Sequence, residues 1–243
     1  MRLTSWLRGQ SEGLWLARTA VPADRAGGLV VLVIGLSVVI GLMTYNLQPY
    51  SVARPSAGRS WEEYLLVNLC ALVLAPALAV GLTPSLDWCS LGWRRPAAGA
   101  ARTAALWFAL MAPVLYLASR QPAFQGYYPL QPEAAQSWRF FAVHEFTYGA
   151  YLLAWEAFFR GFLTFGVARL TGVAPAIVLQ ALAFGVMHLG KPPLEVASSF
   201  VGGALLGALA IRGGSFLPCF ALHWAISTAF DVLVIGAGPG GIF

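Results

Sequence analysis

Residues 140–165 read FFAVHEFTYGAYLLAWEAFFRGFLTF, an apolar run that carries Trp155-Glu156-Ala157-Phe158-Phe159-Arg160-Gly161 toward its end. Glu156 and Arg160 are four positions apart, so a helix sets them on one face, one turn from each other. An acid and a base within a hydrocarbon-length segment are costly. Ionisable residues in such segments turn toward a bundle interior or a wet cavity. The plainest reading is that the pair neutralises itself and pins the helix in register. Polar positions farther along the chain point to more than that.

Composition agrees with a membrane setting. Of 243 residues, 58% are hydrophobic and 10% charged, and the mean hydropathy is +0.70. A soluble domain averages about 25% charged residues. In lipid, spans must be helices or a closed barrel. Continuous apolar runs rather than alternating ten-residue strands select helices. The expected fold is therefore an all-α polytopic membrane bundle of about seven transmembrane helices.

The spans are expected near Gly28–Tyr45, Tyr64–Leu82, Thr103–Ala118, Phe140–Phe165, Val173–Leu189, Leu194–Ile211 and Phe216–Ile235. Residues 1–26, with arginines beside Trp6 and Trp15, suit a segment lying in the interface, and no small-residue cleavage site marks a signal peptide. Residues 27–139 hold the first three helices, residues 140–236 a core of four, and residues 237–243 a Gly-rich tail. Gln121–Arg139 is long enough for a lid or re-entrant piece. Ser199, Gly203 and Gly207, spaced by four, predict a close helix–helix approach.

With the N-terminus cytoplasmic, the inner loops hold nine arginines. Arg54, Arg59, Arg120, Arg139 and Lys191 would lie outside, and nine against five favours that orientation. The formal charge of +5 is spread over loops and forms no basic stripe, so a nucleic-acid partner is not expected. Cys70, Cys89 and Cys219 have no metal-type spacing and cannot all pair internally. No internal repeat supports a secondary transporter.

Past residue 140 the polar residues form a pattern. Glu156 and Arg160 share one face, His188 lies near the end of the next span, and His223, Ser227 and Asp231 make one stripe on the last. A carboxylate with two imidazoles can activate water and stabilise an oxyanion. The same set could hold zinc, which ranks second because no HExxH motif is present. His144 and Glu145 fall at the start of their span, where interfacial polar pairs are ordinary. At about 1.5 Å per residue, Glu145 is roughly 16 Å from Glu156, and it is read as guarding an entrance.

Three quoted segments, Trp155-Glu156-Ala157-Phe158-Phe159-Arg160, Phe184-Gly185-Val186-Met187-His188 and His223-Trp224-Ala225-Ile226-Ser227, resemble the EExxxR, FxxxH and HxxxN/D motifs of the CPBP family. That family comprises the type II CAAX prenyl endopeptidases, bacteriocin-processing proteins and Abi membrane proteins. The resemblance covers about residues 140–235 and departs twice: Trp155 stands where the family has its first Glu, and Ser227 where it has Asn or Asp. It implies an intramembrane endopeptidase in a bacterial cytoplasmic membrane, acting without a cofactor on a membrane-embedded or lipidated protein or peptide. Glu156 and His188 would hold the attacking water. His223 and Ser227 would stabilise the oxyanion, and Arg160 would orient Glu156. The alternative is a catalytically altered scaffold or regulator that binds a peptide or lipid tail in the same pocket.

Overall fold

The computed structural model describes residues 21–46 and 60–238, and over these it is all-helical. The interfacial segment expected in residues 1–26 and the tail after 237 lie largely outside the described residues. In chain order the helices are α1 (Arg25–Asn46), α2 (Trp61–Leu82), α3 (Ala100–Ser119), the short α4 (Pro122–Gln125) and a 3-10 turn (Pro132–Ala135). Then come α5 (Trp138–Glu156), a π-helical segment (Ala157–Leu163), α6 (Thr164–Thr171), α7 (Val173–Val186), α8 (Pro193–Gly213) and α9 (Leu217–Ala237).

Local chemistry explains several boundaries. The Ser60 hydroxyl accepts from the Glu63 amide at 3.1 Å to start α2, and Ser137 accepts from the Phe140 amide at 3.3 Å to start α5. Gly172, at φ +85°, turns the chain between α6 and α7 in a conformation that side chains disfavour. Pro76 and Pro113 lie inside α2 and α3, as expected of membrane helices.

Helices α1, α2, α3, α8 and α9 are long and apolar enough to cross a membrane. Helix α7 has 14 residues and is shorter. The seven spans expected from the sequence are therefore not reached on length and apolarity alone. The fourth span does not end at Phe165 but continues through the π segment and α6 to Thr171. The fifth stops at Val186 and leaves His188 in the following turn.

Large apolar side chains cover the outside, among them Ile40, Leu66, Leu110, Phe146 and Val201, each more than half exposed. Polar groups lie inside, as a bilayer requires. Asn46 and Asn68 exchange side-chain amide bonds of 3.1 and 3.2 Å between α1 and α2. The Ser199–Gly203–Gly207 stripe packs on α7: a Cβ on Gly203 would stand 3.1 Å from the Ala181 Cα, and one on Gly207 2.5 Å from the Gln180 amide nitrogen. Gln180 uses that closeness to donate to the Gly203 carbonyl at 2.7 Å.

One end of the bundle gathers basic loops. Arg169 donates to the Ser85 carbonyl at 3.0 Å and reaches Asp24 at 3.5 Å, while Arg94 donates to the Gly214 carbonyl. The Ser85 hydroxyl, the Gly27 amide and Arg169 together hold the Asp24 carboxyl below its ordinary value. Gln121–Arg139 packs against α9 through Phe124 and Tyr128, each 5.3 Å ring to ring from Phe230.

Candidate active site

Glu156 is the last residue of α5, and Arg160 lies in the π segment that follows. Such insertions shift the register of side chains and recur at functional sites. Arg160 Nη1 donates to Glu156 Oε1 at 2.9 Å, and both side chains are fully buried. The guanidinium also stacks over the Phe184 ring of α7, 3.9 Å from its centroid. The pair that the sequence placed on one face is thus made, and its charges cancel inside the bundle.

His223 joins it from α9, with Nδ1 2.6 Å from Glu156 Oε1. A carboxylate accepts, so this nitrogen carries the proton and donates. The arrangement orients the imidazole and leaves Nε2 as the free ring nitrogen. His188, in the turn after α7, donates from Nδ1 to the Phe184 carbonyl at 2.8 Å. A carbonyl can only accept, so the Nε2 of His188 has a lone pair to offer as a base.

His188 and His223 line one cavity of about 40 Å³, room for roughly two or three water molecules. Its wall continues through Tyr64, Tyr148, Tyr151, Trp155, Leu130 and Lys191. Tyr64 donates to the Tyr151 hydroxyl at 3.3 Å, and His144, Tyr148, Tyr151 and Trp155 follow one another along α5 at ring separations of 5.5, 5.7 and 5.4 Å. At the rim, Lys191 donates to Glu195 at 2.7 Å and to the Tyr128 hydroxyl at 2.9 Å.

Among the described residues no carboxylate lines this cavity. Trp155 does, with its ring centroid 6.3 Å from that of His188. Glu156 is enclosed behind His223 and meets the cavity through that imidazole. Ser227, expected beside the oxyanion, is half-buried and does not line the cavity. Its neighbour Thr228 donates instead to Glu145 Oε2. Among the described residues Glu156, His188 and His223 do not gather at metal-sharing distance.

Two placements were missed by pattern reading. The tyrosines of the wall look like ordinary core aromatics until α2 and α5 are seen side by side. His144 and Glu145 are buried, and His144 Nε2 lies 3.2 Å from Asp231 Oδ2 on α9. The available signal was the His223–Asp231 stripe. In antiparallel helices, two residues on one face of α9 should find partners at two heights on α5.

Comparison with known proteins bears on the region that holds these contacts. Residues 137–229 match the family model described as type II CAAX prenyl endopeptidase Rce1-like. No curated protein and no solved structure matches the chain. The match contains all three motif segments, the Glu156–Arg160 pair and both histidines in their order. Residues 137–229 are thus similar to the Rce1-like type II CAAX prenyl endopeptidases, with tryptophan in place of the first motif acid.

Proposed function

We propose that this protein is an intramembrane endopeptidase that hydrolyses a peptide bond of a membrane-anchored or lipidated substrate. The observation that carries the reading is the pair of imidazoles on one buried cavity, each with Nδ1 committed to an acceptor. His188 Nε2 takes a proton from water as the water oxygen adds to the scissile carbonyl carbon. His223, held by Glu156, donates to the developing oxyanion. When the carbon–nitrogen bond breaks, His188 returns its proton to the leaving amine. Glu156 positions His223, Arg160 holds the Glu156 carboxylate in place, and Ser227 has no step to perform. On this reading the protein sits in a bacterial cytoplasmic membrane with its Arg-rich end inside.

A specific observation favours a second reading. Trp155 fills the wall where the family's first acid would stand, and a cavity without a carboxylate suits a scaffold that holds a peptide or lipid tail uncut. One experiment separates them. A lipidated peptide is incubated with purified protein in vesicles made up in ¹⁸O-water. The endopeptidase reading expects a shortened peptide with one ¹⁸O in its new carboxyl group. Intact peptide that co-purifies with the protein supports the scaffold and removes the hydrolase. Cleavage that a chelator abolishes in Asp231→Asn as well as in the wild type supports zinc chemistry at the cavity, the second choice.

A further inference from the structure

A second polar cluster, outside the cavity, joins α5 to α9. We propose that His144, Glu145 and Asp231 bind one divalent metal ion of the zinc type. Each offers a ligand atom, and these atoms lie within 4.8 Å of one another. His144 Nε2 and Asp231 Oδ2 stand 3.2 Å apart. Ligands at about 2.0–2.1 Å in a tetrahedron are separated by roughly 3.3 Å, so this edge already has the right length. The three residues are 0%, 7% and 1% exposed.

Charge gives the independent argument. Two carboxylates are buried together, and among the described residues neither forms an ion pair with a lysine or arginine; Asp231 pairs only with the His144 imidazole. Buried carboxylates need a compensating charge. A dication bound by two carboxylates and a neutral imidazole balances completely.

The side chains are also oriented as ligands. Glu145 Oε2 accepts from the Thr228 hydroxyl, while buried Oε1 has no hydrogen-bond partner. One oxygen held by a hydroxyl with the other free is how an outer-shell partner aims a carboxylate at a metal. The His144 ring is held by its aromatic neighbours, Trp61 and Tyr148, at centroid distances of 5.0 and 5.5 Å, with Nε2 on the Asp231 side. Three protein ligands leave a fourth position for water. Because α5 also carries Glu156 and α9 also carries His223, the ion would fasten the two helices that build the ion-paired half of the cavity. This site does not depend on the cavity being catalytic.

The test uses tag-free full-length protein in detergent, with zinc content measured after gel filtration and affinity by titration with Zn²⁺. One equivalent is expected in the wild type, and at least a tenfold weaker affinity in Glu145→Gln and in Asp231→Asn. The double variant His188→Ala/His223→Ala and the double variant Cys70→Ser/Cys89→Ser should keep the wild-type equivalent. Co²⁺ substitution of the wild type gives a reading that needs no variant: visible bands of a nitrogen–oxygen site are expected. Thiolate charge-transfer bands, no stoichiometric metal in the wild type, or wild-type affinity in Asp231→Asn would each overturn the site.

Discussion

The Nδ1 of His223 stands 2.6 Å from Glu156 Oε1, the same oxygen that receives Arg160 at 2.9 Å. One carboxylate oxygen thus serves two helices and two partners inside a sealed core. Everything proposed about the cavity passes through this junction, because it orients His223 from behind.

Removing the carboxylate charge should therefore be felt as stability before it is felt as chemistry. Glu156→Gln leaves the fully buried Arg160 uncompensated, at an expected cost of about 3–5 kcal/mol. The double variant Glu156→Gln/Arg160→Met should recover much of that loss, since apolar replacement of a buried pair is often near neutral. Thermal unfolding in detergent reports both, and a double variant as unstable as Glu156→Gln would count against the ion pair as the cause.

His188→Ala should lower cleavage by about 10²–10⁴-fold, the usual contribution of a general base. The imidazole is also buried against the Phe184 and Trp155 rings, at centroid distances of 4.4 and 6.3 Å, so its loss should lower the melting temperature as well. Initial rates on a lipidated peptide, together with a melting curve, separate the two effects.

Trp155 marks the boundary between enzyme and scaffold. Trp155→Phe should keep cleavage within about threefold, because an aromatic still covers the wall beside His188, whereas Glu156→Gln should lose most of it through His223. If Trp155→Glu instead creates cleavage in a wild-type-silent protein, the natural chain is a binder rather than a hydrolase. Parallel assays of the three variants decide this.

Gly207 tests the helix seam. A β-carbon there meets Gln180, so Gly207→Val should destabilise by about 1–3 kcal/mol through overpacking and weaken the Gln180–Gly203 bond. Gly202, whose β-carbon would meet nothing within 4 Å, is the control.

Much of this molecule could be read from the chain because lipid imposes simple rules. Apolar runs become helices when water cannot satisfy backbone groups, and the four-residue spacing of Ser199, Gly203 and Gly207 shows a close approach directly. The Glu156–Arg160 pair and both histidines were legible for the same reason, since ionisable groups in such runs must turn inward. Depth and facing were not. By span ends alone His188 and His223 fall toward opposite membrane faces, yet α7 ends early and both imidazoles reach one cavity. The π segment, invisible as a pattern, leaves Glu156 enclosed and Trp155 on the cavity wall. His144 and Glu145 look like an ordinary polar pair at a span's start because a sequence does not show which helix ends lie side by side.

The most direct measurement is the rate at which wild type, His188→Ala and His223→Ala cut one lipidated peptide in the same vesicles. The account predicts hydrolysis by the wild type and loss of at least a hundredfold in each variant, with all three proteins folded. Equal rates in the three would contradict it.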